Sequence, residues 1–234
     1  RVFGLHTAYD LETGTVGLKP GINNAAVDHF RIRVHGKSTH VSTPHLGVDA
    51  LYIASQIVVA VQGLVTRRTS PTEPVIIGIG KLNAGTTYNA VAAFAEMEGT
   101  TRTISQESRD RVRAQVSETA QSIAALYGGT AEVEWTDFAA ALVNDPQVCR
   151  EAAEVVDELL GEGHVVTDRE LSLSGDNFAE FELYKPGAYA YLGTGNPDLP
   201  HTMITNHNGG FDVDENALVT GAGLYVGYTV ARLG

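Results

Sequence analysis

Apolar positions recur every second residue in some stretches and every three to four residues in others, and the order of these stretches predicts the architecture. RVFGLH, the first six residues, is an apolar strand-like run closed by His6, and a Gly-rich turn region follows to Gly21. HFRIRVHG then alternates like a half-buried strand. Residues 46–66, LGVDALYIASQIVVAVQGLVT, carry apolar side chains at i, i+3 and i+4, the signature of an amphipathic helix. PVIIGIGKL and AFAEMEGTTRT read as strands, with the turn-forming NAG after the first. Ser105 stands where a helix N-cap belongs, before QESRDRVRAQVSETAQSIAALYGG, and Gly128 and Gly129 are its stop signal. TAEVEWTDF alternates again.

Strand, helix, strand, strand, helix, strand over residues 25–138 is the βαββαβ order of a ferredoxin-like domain. From Asp145 the pattern changes to a helix, a short strand HVVT, a loop, a helix, the apolar strand GAYAYLG and a last helix from about 214. Residues 1–24 and 139–234 together predict an α/β layer that lacks its first half, with the βαββαβ domain inserted into it. The opening RVFGLH reads like a strand cut from something longer.

Charge and composition narrow the partners. Sixteen Lys and Arg against 28 Asp and Glu give a net charge of -12, which disfavours a phosphate backbone, because binding one needs clustered cations. With 43% hydrophobic residues the 234-residue chain can bury ordinary cores. Its longest apolar run contains Gln56 and Gln62 and reads as too amphipathic for a bilayer, so no membrane partner is expected. Cys149 is the single cysteine, which excludes an internal disulfide and fits a reducing, cytoplasmic setting.

Candidate chemistry lies at three places. His6 at a strand end and His207 in the small-residue loop TNHNGG are two imidazoles that a returning chain would bring to one metal site; an ordinary hydrogen bond is the plainer role for each. HGKSTHVSTPH holds His35, His40 and His45 in a strand and polar loop, where one ring would stabilise an oxyanion, or all three would be a surface cluster or an adventitious metal binder. Asn89, read at a strand start, can donate to a carbonyl, and Arg102 at that strand's end can clamp a carboxylate; turn former and solvated strand end are the plainer readings. Asp176, Asn177 and Glu180 in SGDNFAEF line a site or simply start a helix. GIGKLNAG is no phosphate loop, because it lacks GK[ST] and precedes no helix.

VFGLH with TGTVGLKPG, DHFRIRVHGKSTHVSTPHLGVDAL, LNAGTTYNAVAAFAEMEGTTRT, GAYAYLGTGNPD and HNGGFDVDENAL, in this order over almost the whole chain, resemble the metal-dependent aminoacylase/carboxypeptidase family of clan MH. The branch they look most like holds the hydrolases of hippurate, auxin conjugates and aminobenzoyl-glutamate. The resemblance implies a zinc-peptidase-like catalytic layer with an inserted lid that makes a homodimer. It implies two divalent ions, zinc or manganese before cobalt or nickel, with His6 and His207 as ligands. By the same resemblance His40 reaches a dimer mate's site to hold the tetrahedral intermediate, and Asn89 and Arg102 contact the carbonyl and carboxylate of an N-acyl amino acid.

The departures count too. Family members begin with half a catalytic domain that carries further ligands and a Glu general base, and none of that is here. The block usually read as GGEDF is SGDNF, which puts Asp176 and Asn177 in doubt, and His201 is off the matched ligand position. Two readings follow: an amidohydrolase that cleaves N-acyl amino acids with a metal-activated water, or a non-catalytic dimerisation and substrate-binding piece of one.

Overall fold

The computed structural model describes residues 1–233. In chain order its elements are β1 (Val2–Glu12), β2 (Val16–Gly17), β3 (Gly21–Asn24), β4 (Ala26–His35), α1 (Ala50–Arg67), β5 (Ile76–Ala84), β6 (Phe94–Thr103) and α2 (Gln106–Leu126). Then come β7 (Thr130–Ala139), β8 (Leu142–Asn144), α3 (Pro146–Leu160), β9 (Val165–Val166), α4 (Ala179–Glu182), β10 (Gly187–Gly195) and α5 (Asn216–Leu233). They fall into two compact units: residues 1–24, 142–172 and 176–234 form the first, and residues 25–141 with 173–175 the second.

In the first unit β1 runs parallel to β10, from Val2 opposite Gly187 to Ala8 opposite Gly193, and the sheet continues through β2 to β9. Parallel strands need both faces covered, and β10 shows it: eight of its nine residues are buried. Helices α3 and α5 pack on Ala188, Ala190 and Leu192 through Val148, Ala152, Val155, Val156, Ala217 and Leu224. Asp145 starts α3 by accepting from the N–H groups of Gln147 and Val148, with Pro146 in the first turn. β1 is longer than the sequence pattern indicates. TAYDLE continues the strand to Glu12, so His6 sits in mid-strand opposite Tyr191 and not at a strand end. The supposed turn region to Gly21 holds β2, whose two residues hydrogen-bond into the sheet between β10 and β9.

The second unit has the predicted ferredoxin-like order. Its sheet runs β5-β6-β4-β7, all antiparallel, with α1 and α2 on one face. Alternation on β4 sends Phe30, Ile32 and Val34 to the helices, which answer with Ile53, Ile57, Val61, Val112 and Val116. By length and apolar content alone α1 is capable of crossing a membrane, yet Ala50, Ile53, Ala54, Ile57, Val61 and Leu64 make it the core helix of this unit. It starts at Ala50, four residues later than its pattern indicates, because Asp49 caps the Leu51 and Tyr52 N–H groups. Ser105 caps α2 through the Ser108 N–H, as read from sequence. Arg109 on α2 and Asp28 on β4 form a buried ion pair with contacts from 2.6 to 3.1 Å.

Candidate functional site

In the first unit the chemistry gathers on the face of the sheet that carries the odd-numbered tyrosines of β10. The half-buried ring of His6 lies 6.1 Å from that of Tyr189 and 6.0 Å from that of Tyr191, centroid to centroid. Its Nδ1 is 2.7 Å from the Thr7 carbonyl, which only accepts, so Nδ1 holds the proton and the Nε2 lone pair is free for a cation. Tyr189 donates to Asp176 at 2.7 Å and Tyr191 to Asn24 at 2.6 Å, while Arg169 stacks 4.5 Å over the Tyr191 ring. Burial first, then the Asp176 carboxylate, push the Tyr189 phenol well above its ordinary value, so it remains a donor.

His207 occupies a tight turn with φ 63°, a left-handed conformation uncommon outside glycine, and the Oδ1 of its neighbour Asn206 is buried without a partner. No hydrogen bond or ion pair joins His6 to His207. Among the described residues no three of His, Cys, Asp and Glu are grouped to hold a metal ion. The tautomer of His6 therefore fits a metal, but a complete ligand set is not assembled from these residues. Cys149 is no substitute: it is buried in α3 and its thiol is pushed up to about 11, chiefly by burial.

The second unit brings His40 and Asn89 together. Residues 36–41 prolong the path of β4 beside the 89–93 segment: His40 bridges Ala90, the Val41 N–H donates to the Asn89 carbonyl at 3.2 Å, and the Val91 N–H to the Thr39 carbonyl at 2.8 Å. Asn89 is thus in the turn between β5 and β6, not at a strand start, because the Val91 N–H is spent on Thr39 and the Ala92 carbonyl on the Ala50 N–H. Thr87 Oγ1 donates to Asn89 Oδ1 at 3.2 Å, so the amide NH2 is the donor this half-buried side chain has to offer. The exposed His40 ring is the reverse of His6. Its Nδ1 accepts from the Ser42 N–H at 3.1 Å, so Nε2 carries the proton as an outward donor.

Arg102 lies at the other end of the sheet. His35 opposite Phe94 marks the His40 end of the β4–β6 ladder, and Val27 opposite Arg102 lies next to its far end. Eight residues of strand separate Phe94 from Arg102, about 26 Å at ~3.3 Å per residue. Arg102 is fixed by bonds from Nε to the Leu173 carbonyl at 3.0 Å and from Nη1 to the Thr101 carbonyl at 2.9 Å, which leaves Nη2 for a ligand. Between the two ends the open sheet face is a self-neutralised lattice, in which Arg33 pairs with Glu96 and Glu134, and Glu98 with Lys81 and His29. Lys81 above all holds the Glu98 carboxyl down at about 2.

Residues 25–127 match a family described as the peptidase dimerisation domain. The second unit is that domain. N-acetyl-L-cysteine deacetylase of Bacillus subtilis is 34% identical over 93% of this chain and 50% of its own length. Thermostable carboxypeptidase 1 of Saccharolobus solfataricus is 33% identical over 94% of this chain and 55% of its own. The crystal structure of the YXEP protein of Bacillus subtilis, described as a dinuclear metal binding peptidase of the M20 family, matches 99% of this chain and 56% of its own with a TM-score of 0.77 at 31% identity. The chain is a relative of these hydrolases and spans about half the length of the curated relatives it matches.

Outside the dimerisation domain, the sequence reading missed the tyrosine network around His6. Its signal was present in GAYAYLG, where period two puts Tyr189 and Tyr191 on one face, but only the parallel register with β1 shows that His6 shares that face. Of the two readings of Asp176, site lining or turn, the geometry shows the turn: one oxygen accepts from the Phe178 N–H at 2.8 Å, while the other takes the Tyr189 hydroxyl beside His6.

Proposed function

We propose that this chain supplies the dimerisation lid and part of the catalytic layer of a metal-dependent amidohydrolase acting on N-acyl amino acids as a homodimer. The relatives' names, a deacetylase of N-acetyl-L-cysteine and a carboxypeptidase, support cleavage of an amide next to a free amino acid. The observation that carries the two-copy form is the separation of Arg102 from His40 and Asn89 by the length of β6, too far for one small substrate to touch all three on one lid. In the proposed dimer one copy's Arg102 and its mate's His40 and Asn89 meet on the same substrate.

Each residue then has a task set by its geometry. Arg102 Nη2 reads the carboxylate, the Asn89 amide donates to the acyl carbonyl, and Nε2–H of His40 donates to the oxyanion as charge develops. His6 and His207 are proposed ligands of a divalent pair, zinc or manganese before cobalt or nickel, with the remaining ligands supplied from elsewhere. When bound, the metal supplies a hydrolytic water of lowered pKa. Steady-state kinetics of the intact enzyme test the reading. Arg102→Ala is expected to raise KM for an N-acyl amino acid about 10- to 100-fold, the worth of a charge-assisted hydrogen bond. Unchanged kinetics, or an intact enzyme that neither retains metal nor hydrolyses hippurate or an N-acetyl amino acid, would overturn it.

A further inference from the structure

The same end of the dimerisation domain carries a side chain to which the amidohydrolase reading gives no task. Tyr88 is 95% exposed in the turn between β5 and β6, directly before Asn89. That turn is pinned: besides the His40 bridge and the two hydrogen bonds to residues 39–41, the Ala50 N–H donates to the Ala92 carbonyl at 2.9 Å. A large ring is therefore held in water by a fixed support, with nearly all its apolar area still to bury. Aromatic side chains so displayed gain contact area at low entropy cost when a ligand covers them. A concavity of about 490 Å³ adjoins it, lined by Val41, Leu51, Ala90 and Val91 together with Thr86 and Thr87. The one charged residue in its wall, Asp49, is occupied as the cap of α1.

We propose that Tyr88 is a specificity-determining residue that covers the acyl group of the substrate and favours aromatic or large apolar acyl groups over acetyl. The proposal rests on the amidohydrolase reading, in which Asn89 donates to the acyl carbonyl oxygen. The substituent on that carbonyl is the acyl group itself. Tyr88, one Cα step of about 3.8 Å from Asn89 in the same turn, is the side chain next to it. The exposed Tyr88 ring, with Val41 and Leu51 in the mixed wall beside it, offers a benzoyl ring apolar area to cover and gives a small acetyl little to touch.

Kinetics of the intact dimeric enzyme with the N-benzoyl and N-acetyl derivatives of one amino acid test this, with Tyr88→Ala, Tyr88→Phe and Arg102→Ala measured side by side. Tyr88→Ala is expected to lower kcat/KM about ten-fold for the benzoyl substrate and less than about two-fold for the acetyl one, with Tyr88→Phe near wild type on both. Sedimentation should find every variant dimeric. An equal loss on both substrates, or dissociation of the Tyr88→Ala dimer, overturns the role of Tyr88. If Arg102→Ala still raises KM in that case, the amidohydrolase reading stands. If Arg102→Ala leaves KM unchanged, that reading falls and the role of Tyr88 falls with it.

Discussion

The Ser42 backbone N–H donates to Nδ1 of His40 at 3.1 Å, and this one contact settles which face of the imidazole is a donor. A ring presented this way polarises an oxygen and does not ligate a cation, whereas His6, bonded through Nδ1 to the Thr7 carbonyl, presents a lone pair. Two histidines of one chain are thus set in opposite tautomers by their own backbone neighbours.

The distance between His40 and Arg102 along the sheet makes the two-copy site testable by mixing inactive enzymes. In a heterodimer of His40→Ala with Arg102→Ala, one of the two sites takes Arg102 from the first chain and His40 from the second, and so is whole. Random reassociation should then restore about a quarter of wild-type activity, because half the dimers are mixed and each has one good site. Were both residues delivered to a substrate by the same lid, no site in the mixture would be whole and no activity would return. Assay of the two variants after co-refolding, against each alone, distinguishes these outcomes.

The dimerisation domain is held by a buried charge pair whose loss should be costly. Asp28 is 1% exposed and accepts from both Nε and Nη2 of Arg109, with Arg113 at 3.7 Å as a second cation. Removing the carboxylate takes away the guanidinium's buried hydrogen-bonded partner and leaves the exposed Asp137 carboxylate at 3.6 Å, so Asp28→Ala is expected to destabilise the domain by about 3 kcal/mol. Replacing both partners with apolar residues, Asp28→Leu with Arg109→Met, should recover most of that loss. Chemical denaturation of the single and double variants measures both, and additive losses would sink the argument.

How far the sequence carried these conclusions differs between the two units. In the second unit every predicted element is present, because β4 and β6 each have one buried face and show a clean period of two, and the helices carry their own caps at Asp49 and Ser105. In the first unit β2 and β9 are two residues each, too short to show any period, and β1 was cut short because Gly14 and Gly17 make its neighbourhood look like turn. The candidate residues were legible as types but not as a constellation. The pattern puts Asn89 and Arg102, thirteen positions apart, at the start and end of one strand; β6 does hold them at opposite ends of the sheet, but with Asn89 in the turn before it, where the pattern does not show its contacts with the His40 loop. Tautomers of His6 and His40 depend on single backbone contacts that no pattern encodes.

Glu182 gives the first unit a pH dependence of predictable sign. Its Oε2 accepts from the Val143 N–H at 2.9 Å, while Oε1 is buried with no partner. Burial, and to a lesser degree the nearby Asp145 carboxylate, raise the Glu182 carboxyl from an ordinary 4.5 to about 7. The folded state therefore binds a proton that the unfolded chain has released between these two values. Stability must fall as pH rises through that window, and the cost is complete above about pH 7. Discounted for the carboxylate's partial exposure, it is on the order of 1 to 2 kcal/mol. Glu182→Gln keeps the acceptor for Val143 without the charge, so the variant should be more stable than wild type by about that amount at pH 8 and nearly equal to it at pH 4.5. Urea denaturation of the two proteins at both pH values reads the difference directly, and a stability gap that is the same at each pH would show that the Glu182 charge is not what the fold is opposing.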